Sequence, residues 1–300
     1  MTIVVSVQCS EGIVLAADSA VAVIDNSEHE THGTSVWNHA KKLSHVGEYN
    51  IGTLSFGLGQ IGQRNIQSLM YEFEVDKKCG CSGNTPVKVS KVAQELYKFL
   101  RVHYNAQYDN SKNRPPLGMI IAGYSKGSFE PEQYRFLIPH TASPVKIDFP
   151  NKVGIFFDGL PDAIYRLLNG IDYSLALALS EIDLNASQLD QLAQALNNMS
   201  RGPSTESIDE FVRICNGGPD LVTKLISWMN LMRFDAIRPG MPLQDGIDLA
   251  VWLIESTIGR YRFAHAYPFA GGPIDIAVIT HAQYTWIQRK SWHGYEKRPI

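Results

Sequence analysis

Three side chains near the start of the chain have the types and spacing for amide chemistry: Thr2, Asp18 and Lys42. A threonine hydroxyl is a weak nucleophile until a base takes its proton. With Met1 removed, the α-amino group of Thr2 is itself such a base, and its ordinary pKa of roughly 7.7–8.0 lies near working pH. A lysine nearby lowers that value, and a carboxylate keeps the lysine charged and in place. The expected roles are Thr2 as nucleophile and base, Lys42 as tuner and Asp18 as anchor. Gly57 and Gly59, within Ser55-Phe56-Gly57-Leu58-Gly59, are expected to offer backbone N–H groups to an oxyanion. Only Met1 precedes Thr2, so methionine removal is expected to suffice without cleavage of a propeptide. Chemistry of this kind calls for no metal and no organic cofactor.

The elements must bring these residues together. Thr2 to Val7 and Ile13 to Ala17 are β-branched and apolar, separated by the turn Cys9-Ser10-Glu11-Gly12, which predicts a hairpin. A turn centred near Ser10-Glu11 sets Thr2 beside Asp18 or its neighbours. Lys42 to Val46 and Tyr49 to Phe56 predict a second hairpin, turning at Gly47-Glu48 and starting with the lysine. Between the hairpins, residues 20–40 read as polar and irregular. Ile66, Leu69, Met70 and Phe73 lie on one helical face. Thr85-Pro86 reads as a helix cap, followed by a stripe through Val92, Leu96, Phe99, Leu100 and His103. Strands are expected over Leu117–Tyr124, Gln133–Ile138 and Val153–Phe157, and a short helix over Leu160–Leu168. Residues 171–240 carry helical pieces broken by Gly-Pro pairs. A long helix follows from Leu243, then strands over Ile274–Thr280 and Tyr284–Ile287. Segregated runs of strands and helices predict an α+β layered fold.

On these residues the chain resembles the proteasome β-type subunits, including the HslV-like ring proteases. Thr2-Ile3-Val4-Val5-Ser6-Val7, Glu11-Gly12-Ile13-Val14-Leu15-Ala16-Ala17-Asp18-Ser19, Lys41-Lys42-Leu43, the Ser55–Gly59 segment and Gly271-Gly272-Pro273-Ile274-Asp275-Ile276-Ala277-Val278-Ile279 carry the resemblance. It implies the four-layer αββα sandwich of N-terminal nucleophile hydrolases, one domain over 1–300 with 171–240 as a helical insertion. Thr2, Asp18 and Lys42 then fall on the catalytic threonine, aspartate and lysine. The implied activity is threonine-type hydrolysis of a peptide or protein substrate in a homo-oligomeric ring served by an unfolding ATPase. A non-catalytic ring subunit and an amidohydrolase for a small-molecule amide are the alternatives. The chain departs from the pattern at two places that would support the terminal amine. Asp158-Gly159-Leu160-Pro161-Asp162 has no serine, leaving Asp158 or Asp162 as substitutes, and Tyr267-Pro268-Phe269-Ala270 has neither aspartate nor serine.

Composition narrows the rest. The chain of 300 residues is 44% hydrophobic and carries a net charge of -3, which excludes a disordered chain and gives no basic excess for nucleic acid. Its 19% of charged residues is below the usual ~25%, as an oligomer interface would make it. No apolar run approaches a membrane span and no leader is read, so a cytoplasmic location is expected. Cys9, Cys79, Cys81 and Cys215 read as free thiols, and His29, His32, His39 and His45 as loop histidines rather than metal ligands. Gly57-Leu58-Gly59-Gln60-Ile61-Gly62 matches a dinucleotide-binding pattern, but the loop after the next helix lacks the parallel strand that such a site needs.

Overall fold

The computed structural model describes residues 2–24, 34–75, 87–109, 114–172, 233–264 and 269–290. The chain divides into two compact units, residues 1–164 with 236–300 and residues 165–235. In the first unit, the apolar runs at the N-terminus form β1 (Val4–Gln8) and β2 (Ile13–Ala17), every residue of both being buried. They pair antiparallel with Val4 opposite Ala17 and Gln8 opposite Ile13, the register that the short turn predicts. The second hairpin is β5 (Leu43–His45) with β6 (Ile51–Gly57). Residues 20–40 are not irregular throughout: β3 (Val21–Ile24) and β4 (Thr34–Trp37) form a two-stranded ladder with Val21 opposite Trp37. Its two short β-branched stretches are separated by polar chain that hides the pairing from a local reading. Residues 25–33 between them, with His29 and His32, lie outside the described residues.

Past β6, a two-residue ladder of β7 (Gln60–Ile61) and β8 (Arg64–Asn65) leads into α1 (Ile66–Val75). Asn65 caps this helix, its side-chain oxygen accepting the Ser68 N–H at 2.8 Å. Ile66, Leu69, Met70 and Phe73 are the buried face, as the spacing predicts. The next helix, α2 (Val89–Tyr108), starts with Lys88 at its N-cap. The Val89 N–H donates to Ser125 Oγ at 3.1 Å. Thr85 and Pro86 lie outside the described residues. β9 (Leu117–Tyr124), β10 (Pro131–Ile138), β11 (Val145–Lys146), β12 (Gly154–Asp158), α3 (Asp162–Asn169), α4 (Leu243–Arg262), β13 (Asp275–Ile279) and β14 (Tyr284–Gln288) follow in order.

The strands make two five-stranded sheets, β12-β1-β2-β13-β14 and β11-β10-β9-β6-β5. Adjacent strands in both are antiparallel. The Gly57–Gly62 stretch therefore enters from a strand flanked by antiparallel neighbours, which is not the parallel unit of a dinucleotide site. The sheets pack face to face through Leu15, Ala17, Leu54, Phe56, Ile120 and Ala277. Phe73, Leu96, Leu100 and Tyr104 of α1 and α2 cover the outer face of one sheet against Met119, Ile121 and Phe136. α4 lies over β1 and β2 on the outer face of the other. The result is the expected four-layer αββα sandwich. Cys9 is a buried free thiol beneath α4, where burial pushes its pKa up to about 11. A side chain at Gly246 would come within 2.5 Å of its sulfur. The other three cysteines and residues 173–232, most of the stretch read as a helical insertion, lie outside the described residues.

One polar chain crosses the apolar seam between the sheets. Ser6 Oγ on β1 donates to Gln133 Oε1 on β10 at 2.7 Å, and Gln133 Nε2 donates to Gln8 Oε1 at 2.9 Å. Gln8 Nε2 in turn donates to the Lys152 carbonyl at 2.8 Å. Each buried group is satisfied by the next, so removing the central one orphans its neighbours. Gln133→Leu is expected to destabilise the protein by about 1–3 kcal/mol. The urea midpoint checks this, and an unchanged midpoint contradicts it.

Candidate active site

Asp18 follows the last residue of β2 and is fully buried. Its carboxylate is satisfied on both oxygens. Oδ1 accepts the Ile3 N–H at 3.0 Å and Lys42 Nζ at 2.7 Å. Oδ2 accepts the N–H of Ala20 at 3.2 Å and of Gly271 at 3.1 Å. The Asp18 N–H donates back to the Ile3 carbonyl at 3.3 Å, which extends the first hairpin by one step toward Thr2. A buried carboxylate is tolerated only when paired and hydrogen-bonded in this way.

Lys42 stands just before β5, with its side chain 4% exposed. Its ammonium also donates to the Ala20 carbonyl at 2.5 Å. Two of its three donors are thus committed among the described residues, and Lys42 lines a cleft together with Thr2. Burial pushes the Lys42 pKa below its ordinary 10.5, against the pull of Asp18. The neighbouring Lys290 charge pushes it further down.

Thr2 is buried and lines this cleft, one residue before Ile3. Its backbone is held from above by Gly159, which adopts φ +98° and packs on the Thr2 carbonyl. A Cβ at Gly159 would sit 2.0 Å from that oxygen, so no other residue fits there. The cleft has a volume of about 450 Å³ and is walled by Thr2, Lys42, Ser55, Gly57, Gly59 and Tyr71, among others.

Gly57 and Gly59 both face it, but their geometries differ. Gly57 has φ +79°, and a Cβ there would lie 2.3 Å from the Pro116 carbonyl. The Leu58 N–H donates to that same carbonyl at 2.9 Å. This bond continues the β6–β9 pairing one residue past the end of β6. On the β5 side, the Ser55 N–H donates to the Lys42 carbonyl at 2.8 Å. Gly59 has no such requirement: its Cβ would meet only Val21 at 3.6 Å, and its carbonyl accepts the Ile66 N–H at 3.1 Å.

Both carboxylates offered as substitute supports for the terminal amine have other partners. Asp158 pairs with Arg135 at 3.1 Å and accepts the Gly159 N–H at 2.8 Å. Asp162 accepts the Tyr261 hydroxyl at 2.9 Å and pairs with Arg260 at 2.9 Å. Sequence reasoning did not find a second buried pair, Asp275 with Lys290, whose side chains are 3% and 6% exposed. Asp275 belongs to a recognisable strand start, whereas Lys290 sits in the polar stretch Gln288-Arg289-Lys290 with no pattern to mark it. Among the described residues no group of three or more His, Cys, Asp and Glu side chains is placed to hold a metal ion. No helix among them is long and apolar enough to cross a membrane.

Replacing Lys42 removes the one cation on Asp18 Oδ1 and leaves the carboxylate buried. Lys42→Met is expected to destabilise the fold by about 3–5 kcal/mol. Chemical denaturation of the purified variant measures this, and wild-type stability would contradict the assigned pairing.

No family model matches the chain, and no curated protein matches it. Among solved structures, it is similar to the Gly-1 mutant of Anbu from Hyphomicrobium sp. strain MC1. That match has 12% identity and a TM-score of 0.49, over 97% of this chain and 86% of the other. It is also similar to Anbu, described as an ancestral beta-subunit, from Yersinia bercovieri, with 15% identity and a TM-score of 0.48 over 98% and 89% of the two chains. The resemblance to proteasome β-type and HslV-like subunits is not upheld, because no family model supports it and these structural likenesses are weak. The motifs that carried it are short buried strands ending in a hydrogen-bonding turn, where packing alone restricts the residue types.

Proposed function

We propose that the chain is a threonine-type amide hydrolase, with Thr2 Oγ1 as nucleophile once Met1 has been removed. The observation that carries this reading is the position of Thr2 in a cleft that it lines together with Gly57 and with Lys42, the partner of the buried Asp18. In the proposed mechanism the α-amine of Thr2 takes the hydroxyl proton as Oγ1 attacks the amide carbon. The carbonyl oxygen becomes an oxyanion, and the Gly57 N–H stabilises it. The intermediate collapses by breaking the C–N bond, and the α-amine passes its proton to the leaving nitrogen. Water then hydrolyses the Thr2 ester, with the α-amine again as base. Lys42 tunes the amine by its charge, and Asp18 holds Lys42.

A cleft of about 450 Å³ suits a short peptide or a small amide. Peptide amides are the first substrate class in this proposal. Assembly as a homo-oligomeric ring belongs to the same reading, supported by the low charged share, and so does a cytoplasmic setting. A folded protein substrate would further call for an unfolding ATPase. A specific observation favours a second reading, a non-catalytic scaffold subunit. Asp158 and Asp162 are each paired with an arginine, so both have partners other than the terminal amine.

Hydrolysis of a panel of fluorogenic peptide amides by protein purified without an N-terminal tag separates the two. Thr2→Ala is expected to lower the rate by roughly 10³-fold or more while leaving fold and assembly intact. Equal hydrolysis by the pure variant contradicts the mechanism. No hydrolysis by Met1-free wild type favours the scaffold.

A further inference from the structure

The Asp275–Lys290 pair has no part in the mechanism above, yet it touches both segments that carry the charged residues of the site. Lys290 lies two residues beyond β14, and its backbone N–H donates to Asp275 Oδ1 at 3.0 Å. Its ammonium donates to Asp275 Oδ2, to Ser19 Oγ at 2.6 Å and to the Ala40 carbonyl at 2.8 Å. All three donors of the ammonium are therefore used. Ser19 adjoins Asp18, and Ala40 is two residues before Lys42. The two segments also bond each other, the Ala40 N–H donating to the Ser19 carbonyl at 3.0 Å. Ser19 is fixed a third time by donating its hydroxyl to the Pro273 carbonyl at 2.5 Å.

We infer that Lys290 is a positioning residue: its ammonium, anchored by Asp275, clamps the Ser19 and Ala40 segments so that Asp18 and Lys42 meet beneath Thr2. This rests on the reading of Thr2 as nucleophile. A buried ion pair is a poor source of stability compared with apolar packing. What this one supplies is order, because a single group holds the end of β2, the entry to β5 and the start of β13. The Lys290 charge also bears on Lys42 itself, adding to the effect of burial on its proton affinity.

The test uses the full chain carrying Lys290→Met with Asp275→Asn, which removes both charges and leaves none orphaned. The first readout is the rate at which acetic anhydride modifies the Lys42 amine, followed by peptide mass mapping on folded protein. It is expected to rise about tenfold, because local opening now exposes the amine. The second readout is peptide-amide hydrolysis, where kcat is expected to fall by about 10- to 100-fold with KM near wild type, as for a misplaced catalytic group. Lys290→Arg, which keeps the charge and the donors, is expected to restore much of both. Ser19→Ala removes the two hydroxyl contacts, to Lys290 and to Pro273, and no charge, and its Lys42 rate decides the matter if the double variant does not fold. A wild-type Lys42 rate in the folded double variant, or in Ser19→Ala when only that variant folds, overturns the inference. If wild type hydrolyses nothing, the hydrolase reading fails, while the Lys42 rate still judges the clamp.

Discussion

The whole arrangement around Thr2 depends on one buried carboxylate. Asp18 takes four hydrogen bonds, from Ile3, Lys42, Ala20 and Gly271, and so joins the chain start, the entry to the second hairpin and the loop before β13. Desolvating a carboxylate is costly unless each oxygen finds donors, so the site tolerates little displacement of any partner. That intolerance is useful: it converts three separate segments into one rigid support. The αββα layers supply the water-poor surroundings in which these charge-assisted bonds are strong.

Around that carboxylate, the backbone does work that side chains do not. Gly159 lets the turn after β12 rest on the Thr2 carbonyl, and Gly57 lets β6 pass close to the Pro116 carbonyl at the wall of the cleft. The two polar clusters of the interior differ in character. The Ser6–Gln133–Gln8 chain is neutral and joins the two sheets. The Asp18–Lys42 and Asp275–Lys290 pairs are charged and gather at the ends of strands. These charged pairs lie at strand ends, whereas the polar chain between the sheets is neutral.

Much of this is legible in the sequence where a local rule fixes geometry. A short turn sets the register of the first hairpin, so Thr2 and Asp18 must be neighbours. The i, i+3, i+4, i+7 stripe of Ile66, Leu69, Met70 and Phe73 names the buried face of α1. Long-range partnerships are another matter. Lys290 reaches Ser19 across most of the chain, and no periodicity encodes that meeting. The β3–β4 ladder is equally obscure, since two four-residue strands carry too few residues to reveal their period. The family resemblance misled for a related reason. A buried strand ending in an aspartate that caps its own turn is a physical solution available to unrelated chains.

The most direct test of the central claim is covalent capture at Thr2. Protein freed of Met1, as shown by intact mass, is incubated with a peptidyl β-lactone, then digested and mapped by tandem mass spectrometry. Ring opening by the nucleophile leaves one acyl group on the oxygen attacked. The account predicts a single acyl group on Thr2, absent from protein denatured before treatment. Folded, Met1-free protein that stays unmodified at Thr2, or that is acylated elsewhere instead, would contradict it.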